Sequence, residues 1–219
     1  MASMKLKTLQ HALKDIKTFE NPKIELEQYT TSSDIAACIL HTAQLVYNDI
    51  SGKCVADLGC GSGVLCIGAA LLGARYCAGF DIDASAISLS VENAADRDVL
   101  GKCDFILCDV KKIDQNMRLK AFDTVIMNPP FGTREREADL IFLKMALSLA
   151  TEAVYSLHER STRKRVLRMA KKLGANAKVI AELRFDLPAS YKFHRQDSLH
   201  VQVDLIRFAL PLQVPVNNL

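Results

Sequence analysis

The sequence predicts a single α/β domain: a mostly parallel seven-stranded sheet with helices on both faces and an antiparallel terminal strand. Three observations carry that prediction. From Lys53 onward, short apolar runs alternate with stretches of helical periodicity, the pattern of a parallel sheet covered on both sides. Four successive strand ends carry glycine, acidic or proline clusters, where open α/β sheets place their ligands. Two strand candidates then follow one another with no strong helix between them, which calls for an antiparallel close.

Taken in order, Leu6, Leu9, Leu13 and Ile16 recur at helical spacing, so a short amphipathic helix opens the chain and Pro22 breaks it. A second helix runs from Ser33 to Tyr47, with the hydroxyls between Thr31 and Ser33 available as an N-cap. The polar linker from Glu27 to Thr31 joins the two. A strand from Cys54 to Leu58 leads through glycines into a helix from Val64 to Leu72. A strand from Tyr76 to Phe80 and a helix from Ala84 to Ala95 repeat the unit. Strands from Asp104 to Cys108 and from Thr124 to Met127, a helix from Leu140 to Ala150, a strand from Ala153 to Leu157 and a basic helix from Arg160 to Leu173 continue it. The closing strands run from Ala177 to Phe185 and from Leu199 to Phe208. In the last, Val201, Val203 and Leu205 alternate with Gln202, Asp204 and Ile206, as in a half-exposed antiparallel strand. Residues 1–50 thus hold the N-terminal helices and a covering loop, 51–210 the main domain, and 211–219 a flexible tail.

The 219 residues are 49% hydrophobic and 24% charged, an ordinary globular composition. No apolar run approaches the roughly 18 residues of a membrane span, and no basic-then-apolar leader opens the chain. An intracellular protein without membrane attachment is therefore expected. Seven cysteines, at 38, 54, 60, 66, 77, 103 and 108, sit in apolar runs with no C-x-x-C pair. They read as small hydrophobes, with no disulfide and no metal site expected. A net charge of +3 does not argue for nucleic acid, but Arg160, Arg163, Lys164, Arg165, Arg168, Lys171, Lys172 and Lys178 crowd one stretch. That stretch suits phosphate neutralisation or, equally, a solvated helix face.

Asp57-Leu58-Gly59-Cys60-Gly61-Ser62-Gly63, opening into a helix at Val64, joins the first strand to its helix. The spacing is G-x-G-x-G with an acid before it, not the dinucleotide G-x-G-x-x-G, and no Lys-Ser/Thr follows, which excludes a phosphate-cradling P-loop. The second strand ends in Asp81-Ile82-Asp83, where a carboxylate can accept from ribose hydroxyls, and the third in Asp109-Val110. Each acid alone could be a helix cap; together, at consecutive strand ends, they describe a nucleotide pocket.

The fourth strand ends in Asn128-Pro129-Pro130-Phe131. The side-chain oxygen of Asn128 and the Pro129 carbonyl can accept the two hydrogens of a planar, poorly nucleophilic amine. The prolines fix where those oxygens point. Phe131 offers a face for an unpaired base. A glutamine side-chain amide poses the same chemical problem as an exocyclic adenine amine, so the corner alone leaves both open. Only about 50 residues precede the glycine loop, too few for the helical domain that glutamine methyltransferases of release factors usually carry.

The order Asp57 loop, Asp81, Asp109, Asn128 resembles the class I S-adenosylmethionine methyltransferases, a Rossmann-like fold. That resemblance implies that Asp57, Gly59, Cys60, Gly61, Ser62, Gly63 and Val64 hold the methionine end. It also implies that Asp81 grips the ribose, Ile82 packs on the adenine, and Asp109 and the Val110 amide bind its edge. Leu26-Glu27-Gln28-Tyr29 and the segments Gly79 to Asp83, Phe122 to Thr133, Ala153 to His158 and Ala181 to His194 are similar to the methyltransferase-like protein five family of eukaryotic small-subunit (18S) ribosomal RNA adenine-N6 methyltransferases. The family resemblance implies S-adenosyl-L-methionine as cofactor, with Gln28 and Thr31 reaching over it. It further implies an obligate small zinc-binding activator subunit as heterodimer partner, and a nuclear (nucleolar) and cytoplasmic location. The family's Gln-Tyr-Pro-Thr has Thr30 in place of proline here, which loosens the loop, and Ser62 stands where a second cysteine is common. Between the last strands, Phe185, Tyr191, Lys192, Phe193, His194 and Arg195 mix aromatics with bases, as single-stranded RNA would require. With Arg163 and Lys164 they are the expected RNA contacts. Protein glutamine-N5 methylation is the alternative activity, and a non-catalytic scaffold ranks last because Asp57, Asp81 and Asn128 are all present.

Overall fold

Strand β1 (Cys54–Leu58) is buried on both faces and stands near the middle of the sheet. Val55 joins one hydrophobic cluster, while Ala56 and Leu58 join the other, the two-sided burial that makes a parallel strand read as a continuous apolar run. The computed structural model describes residues 4–113, 120–132, 137–188 and 198–211. Within them the strand order is β3-β2-β1-β4-β5-β7-β6, with β2 (Tyr76–Asp81), β3 (Cys103–Leu107), β4 (Phe122–Met127) and β5 (Ala150–Glu159). These four run parallel to β1. The closing pair is β6 (Asn176–Pro188) and β7 (Ser198–Ala209), and β7 lies antiparallel to both β5 and β6.

Helices α1 (Leu6–Lys14), α2 (Ser33–Tyr47), α3 (Val64–Leu71) and α4 (Ala84–Asp96) contribute Leu9, Leu13, Ile39, Leu40, Ile67 and Ala94 to the core on one face. Helices α5 (Ala138–Leu149) and α6 (Arg163–Lys172) cover the other with Leu143, Ala146, Val166 and Ala170. The N-terminal helices are therefore part of the main core. The Ser32 hydroxyl accepts from the Ile35 amide at 3.3 Å and caps α2, inside the expected range. None of the described helices is long and apolar enough to cross a membrane.

One expectation is corrected. The last strand was expected to be half-exposed, yet Val203 to Ile206 are all buried. The strand is interior, and Asp204, fully buried, is met by Arg163 Nε at 2.5 Å. Alternation of a polar residue along a strand signals exposure only when no neighbouring element supplies its counter-charge. The cysteines, read from the sequence as small hydrophobes, include three that the fold gathers: the Sγ atoms of Cys66, Cys77 and Cys103 lie within 4.8 Å of one another. All three are buried in the α3 core. Contact with the Cys103 and Cys77 thiols, and then burial, push the Cys66 thiol well up, so it stays protonated. Its surroundings are those of a small hydrophobe.

Candidate active site

The strand order reverses between β1 and β4, and the crevice outside their carboxyl ends is the site. Gly59, Gly61 and Gly63 all take positive φ, at 71°, 55° and 80°, which only glycine adopts without cost. A Cβ on Gly63 would lie 3.1 Å from Ser90 and 3.2 Å from Phe105, so the last turn of the loop also needs the missing side chain. Helix α4 fastens the loop from behind. Ser90 Oγ donates to the Gly61 carbonyl at 2.8 Å. The buried Asn93 amide donates to the carbonyls of Ser62 and Lys17, at 2.9 and 3.0 Å, and accepts from the Lys17 amide at 2.9 Å.

Asp57 is buried at the base of the loop. Its Oδ2 accepts from the Cys66 amide at 3.1 Å, while Oδ1 has no partner among the described residues. The Ser62 hydroxyl is likewise buried without a partner. Both line a recess shared with Thr31 and Asn128. Burial pushes the Asp57 carboxyl up to about 7; the Cys66 amide opposes this and the Asp81 charge adds to it. A buried carboxylate oxygen and a hydroxyl left open together suit an ammonium group, and so fit the methionine end of S-adenosylmethionine.

Asp81 Oδ2 accepts from the Gly61 amide and Oδ1 from the Asp83 amide, both at 2.9 Å. Each oxygen keeps a second lone pair for a ribose hydroxyl. Beyond it opens a cleft lined by Ile82, Cys108, Asp109 and Val110. Ile82 is half exposed there, an apolar face available to a purine. Asp109 also caps a short 3-10 turn through the Lys111 amide at 3.1 Å, so the cap and the nucleotide readings of this residue coexist.

A strap from the first helix crosses the cleft. Gln28 Nε2 donates to Asp83 Oδ2 at 2.7 Å, Lys23 Nζ meets Asp83 Oδ1 at 2.6 Å, and Gln28 Oε1 accepts from the Lys23 amide at 2.9 Å. Burial works against ionisation of Asp83, but the Lys23 ammonium, the Gln28 amide and the Ser85 donors outweigh it and hold the carboxyl well below its usual range. Further along, Asn128 Nδ2 donates to Thr31 Oγ1 at 2.9 Å. Asn128 Oδ1 is buried with no partner among the described residues. The Phe131 amide donates to Glu27 Oε2 at 2.9 Å.

Phe131 departs from expectation. Its ring is 6% exposed, tilted against Tyr29 at 5.3 Å and edge-on to Phe185 at 6.2 Å. The three rings bury one another, so no stacking face is open to a base in this conformation; Pro130, not Phe131, lines the cleft. Phe185 is likewise a core residue of β6 rather than part of an RNA loop. Lys192, Phe193, His194 and Arg195 lie outside the described residues, as do residues 133–136 after the corner and 212–219 of the tail. The Arg163 guanidinium is held by Asp204 and by Glu182 at 2.7 Å. Arg160 and Arg165 are similarly occupied, by Glu182 and by Asp139 at 3.0 Å. Lys164 is exposed.

Three positions at the cleft, Phe142, Phe19 and Lys23, had no sequence signal of their own, and Glu27 had one only through its linker motif. Phe142 of α5 and Phe19 flank the glycine loop, 3.4 Å and 3.6 Å from where a Cβ on Gly59 or Gly61 would lie. Lys23 and Glu27 brace the strap. An aromatic in a helix and a charge in a linker look like any others until the fold brings them to one cleft.

A G-x-G-x-G loop, an acid at each of the next two strand ends and an Asn-Pro-Pro-Phe corner around one crevice define a class I S-adenosylmethionine-dependent methyltransferase. The profile of the ribosomal protein L11 methyltransferase (PrmA) family matches residues 30–129, the stretch that holds the glycine loop and the start of the corner. Over 206 residues the chain is 52% identical to rRNA N(6)-adenosine-methyltransferase METTL5 of Danio rerio, covering 94% of this chain and 99% of the relative. The Drosophila melanogaster protein of the same description is 46% identical over 211 residues, covering 96% and 99%. A crystal structure described as a candidate RNA methyltransferase from Pyrococcus horikoshii superposes with a TM-score of 0.84 at 35% identity, covering 96% of this chain and all of that one. The chain belongs to the METTL5 family of rRNA N(6)-adenosine-methyltransferases.

Proposed function

We propose that the protein transfers a methyl group from S-adenosylmethionine to the N6 amine of an adenine in small-subunit (18S) ribosomal RNA. The buried, unpartnered Oδ1 of Asn128 is the observation that carries this reading. Such an oxygen is costly to leave unsatisfied, and an amine hydrogen satisfies it. Together with the Pro129 carbonyl it draws both hydrogens aside and leaves the nitrogen lone pair directed at the donor. S-adenosylmethionine supplies a methyl group on a sulfonium whose departure leaves a neutral thioether. Asp57 and Ser62 hold the methionine end, Asp81 the ribose, and Asp109, Val110 and Ile82 the adenine, under a strap pinned by Gln28. With the Phe131 ring covered, the acceptor base reaches the corner after Tyr29 moves, and exposed Lys164 meets RNA phosphate, with Lys192, Phe193, His194 and Arg195 as further RNA contacts by residue type.

The partner in this reading is a small zinc-binding activator subunit. Edge strand β3 supports it: among the described residues one side has no strand beside it, and Leu100, Ile106 and Leu107 are exposed there. An open edge flanked by apolar side chains is a template for a strand of another chain. The location that goes with this substrate is the nucleus (nucleolus) and cytoplasm.

The test is incorporation of labelled methyl into purified small-subunit RNA with the activator co-expressed, followed by nucleoside analysis. Label in N6-methyladenosine, lost with Asn128→Ala while cofactor affinity is retained, is the expected result. Label in protein instead would transfer the same corner to glutamine-amide methylation.

A further inference from the structure

Helix α6 carries its charge on one side. Its sequence, Arg163 to Lys172, contains no acid. Lys164, Arg168, Lys171 and Lys172 are all exposed, and their spacing stacks them on one flank of a helix. Val166 and Ala170 point the other way, buried in the core. The acids that reach the basic stretch, Glu137, Asp139, Glu182 and Asp204, are held by Arg160, Arg163 and Arg165. Among the described residues no salt bridge neutralises the four exposed cations; Arg168 Nε donates to the Lys164 carbonyl at 3.2 Å.

This flank begins beside the catalytic corner. A single 3-10 turn (Arg160–Thr162) joins β5 to α6, so the helix starts at the carboxyl ends of the parallel strands, where the crevice opens. In its first turn Arg165 holds Asp139 at 3.0 Å, and Asp139 adjoins Ala138, which lines the cleft. Lys164 therefore stands toward the rim. The three cations after it lead away from the site, about 12 Å to Lys172 at 1.5 Å per residue. Helix α6 lies over β5 and β6, at the other end of the sheet from β3, and an activator strand at the β3 edge leaves it free. A basic amphipathic helix can also lie on an anionic membrane, but the apolar side of α6 is spent on the core. What such a row of cations fits is the phosphate chain of a nucleic acid.

We propose that the exposed flank of α6 is a phosphate-tracking surface: Lys164, Arg168, Lys171 and Lys172 hold the backbone of the ribosomal RNA that flanks the target adenine. The proposal rests on the reading of RNA as the methyl acceptor. Contacts to phosphate fix register and supply affinity but carry no sequence information. Loss of the flank therefore acts on RNA affinity and its salt dependence, not on kcat at saturating RNA or on the cofactor.

The experiment titrates a fluorescent small-subunit RNA fragment over a salt series with the activator complex of three proteins. One is wild type, one carries Arg168→Gln, Lys171→Gln and Lys172→Gln, and one carries Lys5→Gln, Lys7→Gln and Lys14→Gln. Lys5, Lys7 and Lys14 are exposed along α1, which packs on the opposite face of the sheet. Both triples thus remove the same charge, and glutamine keeps helix propensity. The α6 triple is expected to flatten the slope of log affinity against log salt by about two, at about 0.7 per phosphate contact on a single strand. Its KM for RNA rises at least about tenfold near physiological salt, while kcat and cofactor Kd stay within about twofold of wild type. The α1 triple is expected to match wild type. Should the α6 triple fail to fold, Lys171→Gln alone is read, with a slope flatter by about 0.7. A wild-type slope in the α6 variant, equal flattening in the α1 triple, or a loss confined to kcat overturns the proposal. Absence of N6-methyladenosine with the wild-type protein overturns the proposed reaction instead, and the binding slope still decides the surface.

Discussion

The side-chain amide of Gln28 donates to Asp83 Oδ2 at 2.7 Å across 55 positions of sequence. Asp83 is at the same time the N-cap of α4, accepting from the Ser85 amide at 3.1 Å. One carboxylate thus closes the strap over the cleft and starts the helix behind it. Gln28→Ala, and separately Lys23→Ala, should raise the cofactor Kd by about two- to tenfold, the worth of one such bond. The rate at saturating cofactor should not change. Isothermal titration with the donor and with its demethylated product checks this, since a strap acts equally on both.

Asp57 gives a pH dependence with a definite sign. Its carboxyl is pushed up to about 7 in the folded protein by burial, against about 3.9 unfolded. A raised carboxyl is more stable protonated: its contribution is complete below about pH 4 and is lost as pH rises through about 7. Cationic cofactor needs the ionised form. Affinity should therefore weaken as pH falls below about 7, with proton release on binding detected as a buffer-dependent heat. Asp57→Asn should raise the melting temperature of the free protein at pH 8 by at least about 2 °C and abolish cofactor binding.

Phe185 ties the second-last strand to the corner through Tyr29, at 5.7 Å between ring centroids, and Phe131. Phe185→Ala should cost about 3–5 kcal/mol, lowering the melting temperature by roughly 6–20 °C. Transfer should fall as well, since the Phe131 backbone loses its packing. Phe185→Leu should recover most of the stability. Thermal unfolding alongside transfer rates tests both parts.

The basic stretch separates into cations paired within the fold and, among the described residues, exposed ones such as Lys164. Arg163→Ala takes away the bidentate partner of the buried Asp204 and should lower the melting temperature. Lys164→Ala should leave stability unchanged and weaken RNA binding, reducing the slope of log affinity against log salt by about one. Fluorescence titrations with small-subunit RNA fragments over a salt series distinguish the two.

The order of elements and the glycine, acidic and Asn-Pro clusters were legible because they are local: each depends on residues adjacent in sequence at one strand end. Boundaries moved by a few residues; β5 begins at Ala150 where the apolar run pointed to Ala153. What was not legible depends on residues far apart. Asp204 read as solvent-facing because nothing in its strand foretells Arg163, 41 positions away. Phe131 read as an open platform because its cover, Tyr29 and Phe185, comes from two other elements.

Asn93 joins Lys17 to Ser62, so the cofactor loop is stitched to a segment that precedes it by more than forty residues. The N-terminal helix and the loop are consequently not interchangeable modules. Grafting the domain from β1 onward onto another leader, or clipping the chain before Pro22, would hand over the glycines without the seam that keeps them in register. The piece that carries methyl donor chemistry from one protein to another must begin at the first helix.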